Sequence, residues 1–508
     1  MTTIAIQDEV VEGLRAIVGA DGVLTGRSSR FNRARVPAPF PLHRWEEFIP
    51  DVVVLPGTTE QVAQIVRLAN EYRIAVVPRA GGTGLADGAV PLRGGILLDV
   101  KRMDQIKEID LVNNTVTVGP GINMQTLNRS LRRHGVMYPD DPASYACSLV
   151  GGRIGTSGLS LLGTRYGHTR DLVISFEMVL PTGEVIEVGD GGGRKIRKSS
   201  TGYHLKHLFM GHQGTLGIVT EATLELVPRA EVEFAAFFLF EDYDTAYRTF
   251  SRLAKSGLAT LAGCMLFDPE KVEYLRRDDE AYIVQPAWVK AVCAVALMGV
   301  RAEVEPASAV VMDLGRSLGG RYIGDEIAAG DWAARHDRYA NPLHGRDKSG
   351  QVVPMSWHCE DAAVPYSEVP EVLRKWHEIA RRYVQRYDIF DDWGAFAYTN
   401  GAHKPWGDLL LEIDMGLWED RMDEESWQAF VSLKREIAQV AIDHGGSMSA
   451  CHGATRAGDA ELVPVEMGAA WSVMKTIKRA LDPNNIMNPG KQSLDEAYQP
   501  AERGGVTA

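Results

Sequence analysis

The residues most suited to chemistry are Pro78-Arg79-Ala80-Gly81-Gly82-Thr83-Gly84-Leu85 and the glycines that continue to Gly88. Consecutive glycines lack Cβ atoms and accept positive φ, so successive backbone N–H groups can turn inward on one anion. A nucleotide diphosphate is the polyanion that suits such a loop best. A glycine-rich loop alone is more often a surface turn. Here two further clusters of small residues follow, Val150-Gly-Gly-Arg-Ile-Gly-Thr-Ser-Gly158 and Gly211-His-Gln-Gly-Thr-Leu-Gly-Ile-Val-Thr220. Small residues let something flat or bulky lie directly on the backbone.

These loops need elements to hold them. Asp51-Val-Val-Val-Leu55 reads as a strand ended by Pro56-Gly57. Thr58-Thr-Glu-Gln61 then opens a helix in the manner of a capping box, with Val62, Ile65, Val66 and Leu68 facing inward. Strand Ile74–Val77 delivers the first glycine loop, so the order is βαβ. Val173–Leu180 and Glu184–Val188 form a hairpin across Pro181-Thr182-Gly183, and Ala222–Val227 is a strand closed by Pro228. Beyond about residue 230 the rhythm changes. Strands at 233–240 and 292–300 each precede a helix, at 243–255 and 303–318, as in a split βαβ, ferredoxin-like sheet. Further helices at 367–387 and 419–443 accompany strands Phe396–Thr399 and Leu409–Ile413. A last helix, Val465–Leu481, leads into Asp482-Pro-Asn-Asn-Ile-Met-Asn-Pro-Gly-Lys491.

Composition narrows the classes. The chain has 508 residues, 45% hydrophobic and 24% charged, which suits two or three globular domains. A net charge of −13 speaks against a general binder of nucleic acid or anionic membranes. No apolar run is long enough for a transmembrane segment. Met1–Val11 carries early acids and does not read as a leader. The five cysteines are widely spaced and odd in number, as expected of free thiols in the cytoplasm. No G-x-G-x-x-G opens a helix with an acid some 20 residues on, so no nicotinamide fingerprint is present.

The ordered series Pro78–Val90, Tyr138–Ser144, Gly151–Gly158, Tyr166–Asp171, Gly211–Glu221 and Leu481–Lys491 resembles the FAD-linked oxidases of the vanillyl-alcohol-oxidase/p-cresol-methylhydroxylase superfamily. The nearest branch is that of the D-lactate, glycolate and D-2-hydroxyglutarate dehydrogenases. The resemblance implies an α+β fold: a two-subdomain PCMH-type FAD-binding domain over residues 1–229 (core about 46–229), a ferredoxin-like cap over 230–448, and a segment from 449 to 508 that returns to the cofactor. It implies FAD, held noncovalently, since the covalent attachment pattern of some relatives is missing. By position, Pro78 to Leu85 cradle the pyrophosphate, and Pro142, Ser144, Gly151, Gly152 and Thr156 line the flavin. Gly217, Ile218 and Val219 hold the adenine side or the ring, and Asn488 returns from the C-terminal segment.

The resemblance also implies hydride transfer from a carbon bearing a hydroxyl to flavin N5. Trp332-Ala-Ala-Arg335 looks like the family's Trp-x-x-Arg, which assigns Arg335 to the substrate carboxylate. His452 stands where the family has a histidine beside the flavin, as general base. His358-Cys359-Glu-Asp-Ala-Ala-Val-Pro365 resembles a cap strand, on which only one of His358 and Cys359 can face the substrate. Metal-using relatives carry Gly-His-x-x-Asp-Gly-Asn-x-His and a Glu before the final histidine. This chain has Gly394-Ala-Phe-Ala-Tyr-Thr-Asn-Gly-Ala-His403, and Cys451 before His452. No metal is therefore expected, in preference to a soft-ligand site regrouped from His358, Cys359, His403, Cys451 and His452. Tyr398 and His403 remain candidate pocket residues, with Tyr398 helping His452 to activate the hydroxyl.

The substrate implied is a small hydroxy acid or aromatic alcohol. The acceptor is open among oxygen, a quinone, a cytochrome and an electron-transfer flavoprotein, and the sequence allows a homo-oligomer. The alternatives are a para-phenol oxidase of the same fold and a non-catalytic flavin-binding subunit.

Overall fold

The computed structural model describes residues 6–37, 40–277, 286–337, 344–346, 351–400, 409–454 and 459–495. Strand β1 (Val52–Val54), helix α1 (Thr59–Glu71), β2 (Val76–Arg79) and β3 (Ile96–Asp99) form the predicted βαβ unit, with β3 parallel to both β1 and β2. Thr58 caps α1 by accepting the Gln61 N–H at 3.2 Å. Gln61 reaches back to the Gly57 N–H at 2.7 Å rather than to Thr58, a variant of the reciprocal box. The inward face of α1, with Val62, Ile65 and Val66, is fully buried against the sheet.

A second sheet comprises β4 (Ile106–Asp110), β5 (Thr115–Val118), β6 (Val173–Val179), β7 (Val185–Gly193) and β8 (Ile218–Glu225) in the order β4-β5-β8-β6-β7, all antiparallel. The β6–β7 hairpin turns at Gly183, whose φ of +79° suits glycine. The second cluster of small residues is helical: α2 spans Val150–Thr156 between β5 and β6.

After residue 230 the chain builds one eight-stranded sheet. Its strands are β9 (Val232–Phe240), β10 (Leu261–Phe267), β11 (Ala291–Gly299), β12 (Arg321–Tyr322), β13 (His344–Arg346), β14 (Val352–Val364), β15 (Phe390–Asn400) and β16 (Leu409–Trp418), in the order β12-β9-β11-β10-β15-β16-β14-β13. Helices α3 (Tyr243–Ala254), α4 (Arg301–Ser317), α5 (Val369–Arg386) and α6 (Glu424–Asp443) complete it. The first four strands neighbour one another as fourth, first, third, second, which is the split βαβ arrangement read from the sequence. A second such unit, β14-α5-β15-β16-α6, has after α6 only a single antiparallel bridge, Ser447 to Ala363, among the described residues, and it joins the first edge to edge through β10 and β15.

The C-terminal segment closes the fold. After α7 (Ala470–Leu481), Val76 N–H donates to Ile486 O at 2.7 Å and Asn488 N–H to Val76 O at 2.8 Å. The buried Lys478 ammonium donates to Thr215 O and Met487 O at 2.9 and 2.8 Å, and Lys491 to Asp87 O at 2.7 Å. The glycine loop is thus pinned from below by residues some 400 positions away in sequence.

Candidate active site

A cavity of about 670 Å³ lies between the glycine loops and the eight-stranded sheet. Its wall includes Pro78 to Leu85, then Pro142, Ser144, Gly151, Gly152, Thr156, Gly217, Ile218 and Val219. Cys359, Glu412, Cys451 and His452 complete the wall on the sheet side.

The loop walls fit a bulky dinucleotide. A Cβ on Gly81 would come 2.7 Å from Cys147 O, and one on Gly151 would come 2.7 Å from Pro120. Such approaches are open only to glycine. Three buried wall atoms, Arg79 Nη1, Ser148 Oγ and His212 Nε2, have no hydrogen-bond partner among the described residues. Buried donors and acceptors of this kind are normally satisfied, so they point to a polar ligand. Burial holds the Arg79 guanidinium below its ordinary pKa, and an adjacent anion would relieve that cost. Asn488 is absent from the wall. Its Nδ2 donates to Gly88 O and Gln213 O at 2.7 and 2.6 Å, clamping the first glycine loop to the third cluster.

The sheet side is arranged by pleat and register. Side chains alternate along a strand, and cross-strand partners share a face. In β14, Cys359 and Asp361 face the cavity, opposite Asp414 and Glu412 of β16. His358 and Glu360 therefore point to the helix side. There His358 Nε2 meets Glu360 Oε1 at 2.6 Å, and Lys434 of α6 meets the same oxygen at 2.5 Å. So His358 is a core histidine, held below its ordinary pKa by burial and by Lys434.

Asp361 organises the corner that carries Cys451 and His452. It accepts the Cys451 N–H at 2.6 Å and the Ala450 N–H, and its Oδ1 lies 2.7 Å from His452 Nδ1. Burial opposes ionisation of Asp361, but His452 and the two N–H groups hold its carboxyl below the usual range. Burial likewise opposes the imidazolium, yet Asp361 outweighs it, with help from Glu412 and Glu360, and lifts His452 to about 9. Glu412 shows the reverse balance. Burial raises it to about 8 despite the pull of His452, with Asp414 and Asp361 adding to the rise. The Cys451 thiol donates to Glu412 Oε1 at 3.6 Å, and burial keeps that thiol well above its usual pKa. Asp361, Cys451 and His452 hold potential metal-ligand atoms within 4.8 Å of one another, though Asp361 is already engaged by the Ala450 and Cys451 N–H groups, the Ser449 hydroxyl and His452.

Arg335 lies elsewhere than its assigned role requires. It is absent from the cavity wall; its Nε donates to Asp141 Oδ2 at 2.8 Å, and His336 sits 2.9 Å from the other oxygen. Burial disfavours the Asp141 charge, and Arg335 and His336 keep it ionised. The pair ties the turn after the helix Asp325–Ala333 to the loop before Pro142. Tyr398 pairs with Glu412 in the β15–β16 ladder, but its side chain is outside the described residues, as is all of His403.

Sequence reasoning did not single out Asp361 or Glu412 as site residues. Asp361 is two positions from Cys359, so alternation alone puts them on one face. Glu412 interrupts the apolar run Leu409-Leu-Leu-Glu-Ile, and a carboxylate in a buried strand is itself a signal.

Comparison with known proteins agrees with this architecture. Residues 50–189 match the FAD binding domain family, and residues 229–492 match the C-terminal domain of FAD linked oxidases. The chain is 32% identical over 460 residues to glycolate oxidase subunit GlcD of Bacillus subtilis (strain 168), covering 88% of this chain and 90% of that one. It is 29% identical over 493 residues to a probable mitochondrial D-lactate dehydrogenase of Danio rerio, covering 96% and 92%. Among solved structures, p-cresol methylhydroxylase with substrate bound shares the fold, with a TM-score of 0.77 at 21% identity over 97% of this chain and 99% of that one. An alkyldihydroxyacetonephosphate synthase does so with a TM-score of 0.74 at 19% identity, over 95% and 85%. With glycine loops shaped for a dinucleotide and both halves matched, the chain belongs to the FAD-linked oxidases and is an FAD-dependent oxidoreductase.

Proposed function

We propose that this chain oxidises the hydroxyl-bearing carbon of a 2-hydroxy acid or a related alcohol, with His452 as the base that takes the hydroxyl proton. The observation that carries the reading is His452 on the cavity wall with its Nδ1 held by the buried Asp361 behind it. Asp361 holds Nδ1, which leaves Nε2 as the atom to accept a proton, and the Asp361 charge stabilises the imidazolium that results. A neutral Glu412 beside it keeps a second negative charge away from the substrate at pH 7. When bound, FAD supplies the acceptor for the hydride.

In this reading residues 1–229 hold the cofactor without a covalent bond, residues 230–448 cap it, and the segment from 449 returns His452 to the site. The glycolate oxidase subunit and D-lactate dehydrogenase relatives support a hydroxy acid. The phenol-oxidising reading rests on fold neighbours near 20% identity and is the weaker one. Arg335 would have to leave Asp141 to hold a carboxylate, so we do not assign it that role.

The test is anaerobic bleaching of the visible flavin band by D- and L-2-hydroxy acids, aryl hydroxy acids and para-substituted phenols, each with and without chelator. Bleaching by a hydroxy acid that survives chelation supports the proposal. Bleaching by phenols alone moves the chain to the phenol branch. Absence of bleaching with FAD bound makes it a non-catalytic flavin subunit.

A further inference from the structure

We propose that Arg153 is the residue that holds the substrate carboxylate, an assignment that rests on the hydroxy-acid reading above. Arg153 belongs to α2, is 9% exposed and lines the cavity. Its guanidinium is fixed along one edge. Nε donates to Asp140 Oδ2 at 3.1 Å and Nη2 to Asp140 Oδ1 at 2.6 Å, and Nη2 also donates to Leu159 O. Asp140 is fully buried, and Thr169 Oγ1 donates to its Oδ2 at 2.8 Å, so the carboxylate that orients the fork is itself held. A guanidinium carries five N–H donors. These bonds use three, and the two on Nη1 make no hydrogen bond among the described residues.

Nη1 lies over Gly158. A Cβ at that position would come 2.2 Å from Nη1, so only glycine leaves room for the guanidinium where it stands. Its charge is secure. Burial opposes the guanidinium charge, but Asp140 outweighs it, with smaller help from Tyr138 and Cys451, and Arg153 stays above its ordinary pKa. The contribution of Cys451 also puts the chain neighbour of His452 within electrostatic reach of Arg153.

The other cations of the described wall are committed elsewhere. Arg35 pairs with Glu419 at 3.5 Å and lies over the Trp45 ring. Arg79 stands in the glycine loop that fits the dinucleotide. Burial, with Lys478, lowers His212 to about 4 and keeps it neutral. Arg335 would have to release Asp141, whereas Arg153 keeps Asp140 on one edge and offers the other. A carboxylate on Nη1 gains a charge-assisted hydrogen bond. Glu412 on the same wall, protonated at pH 7, does not repel it. The cavity thus supplies a base in His452 and an anion-binding donor in Arg153, the two contacts that separate a 2-hydroxy acid from a plain alcohol or a phenol.

The experiment titrates the FAD-loaded protein with 2-keto acids from glyoxylate to phenylglyoxylate, each against its uncharged primary amide, and reads the perturbation of the visible flavin band. The parent should bind an acid more tightly than its amide. Arg153→Lys keeps a positive charge opposite Asp140 and removes the Nη1 edge. It should weaken the acid by about 10- to 100-fold, as for a lost hydrogen bond to a charged group, and leave the amide and FAD affinities within about threefold. Gly158→Ala leaves every charge in place but displaces the guanidinium, and should act in the same direction; it decides the matter if the lysine variant does not fold. Equal affinity of the parent for acid and amide, no keto-acid binding at all, or an unchanged acid affinity in a folded variant overturns the proposal. An equal loss for acid and amide also overturns it and makes Arg153 structural, and a loss of FAD affinity alone assigns it to the cofactor. Bleaching by hydroxy acids with acid affinity indifferent to Arg153 would sink this assignment and spare the oxidation proposed above. Keto-acid binding that depends on Arg153, in a protein whose flavin no hydroxy acid bleaches, would do the reverse.

Discussion

Raising the pH from 7 to 9 should raise kcat/KM for the oxidised substrate, because the base must be neutral to accept a proton. Asp361 lifts His452 to about 9, so only about 1% of the imidazole is neutral at pH 7 and about half at pH 9, a gain of about 50-fold with a slope near one per unit. Asp361→Asn tests the cause. Burial opposes the imidazolium, and Asp361 is the main group overcoming it, so its removal should move the inflection toward acid. With its amide oxygen kept on the Ala450 and Cys451 N–H groups, the variant would also turn an N–H donor toward His452 Nδ1, which favours the tautomer that carries its proton on Nε2. Loss of an orienting Asp in a Ser–His–Asp triad costs about 10⁴ in kcat, and a loss of about 10² to 10⁴ is expected here. The assay is a pH profile of reductive half-reaction rates for parent and variant, each normalised to bound flavin. A flat parent profile between pH 7 and 9, or an unmoved inflection in the variant, would refute the base assignment.

Glu412→Gln mimics a carboxyl that burial keeps protonated at pH 7, so kcat/KM at that pH should stay within about threefold of the parent. A hundredfold fall would show that the ionised form is needed. Gly81→Ala places a Cβ 2.7 Å from a backbone carbonyl, and the purified variant should carry little FAD, read from the ratio of visible to ultraviolet absorbance. Arg335→Met should leave KM within about tenfold but lower the melting temperature, because it strips a partner from buried Asp141, at a cost of roughly 3 kcal/mol. A KM rise of a hundredfold or more with unchanged melting would return Arg335 to the carboxylate.

The loops and the split sheet were legible because their signals are local. Glycines, prolines and alternating apolar runs mark turns and strands within a few residues, and the βαβ unit around Thr58 followed from them. The site was only partly legible because its geometry is long-range. Arg335 sits in a recognisable Trp-x-x-Arg, yet its partner Asp141 is 194 residues away, and no spacing rule reveals that the fork is already engaged. Asn488 lies in a readable C-terminal motif, but that it clamps Gly88 and Gln213 rather than facing the cavity depends on three segments meeting. His358 and Cys359 could be separated into two faces by alternation. Which face belongs to the cavity was decided by where α6 brings Lys434.

The carboxylate that this chain lacks before His452 bears on how the corner keeps its charge balance. Metal-using relatives resembling it place a Glu where Cys451 stands. Here a carboxyl reaches the same neighbourhood from β16, as Glu412 bonded to the Cys451 thiol. The two arrangements differ in protonation. A Glu beside a bound cation is ionised, whereas Glu412 lies in a buried strand next to Asp414 and Asp361 and holds its proton up to about 8. A neutral Glu412 leaves Asp361 as the anion paired with His452, and the pair carries no net charge once His452 is protonated. Making the carboxyl ionise at neutral pH would require a new cation within a few ångströms. Cys451→Glu, which restores the relatives' residue, would add a second acid to a corner that already suppresses one. It should therefore raise the His452 inflection further and depress activity at pH 7, unless a divalent cation is supplied. Rescue of the variant by Zn²⁺ or Mn²⁺, with no such effect on the parent, would show that the exchange of Glu for Cys moved this corner from metal-assisted to proton-only activation. Equal stimulation of both proteins would overturn that account.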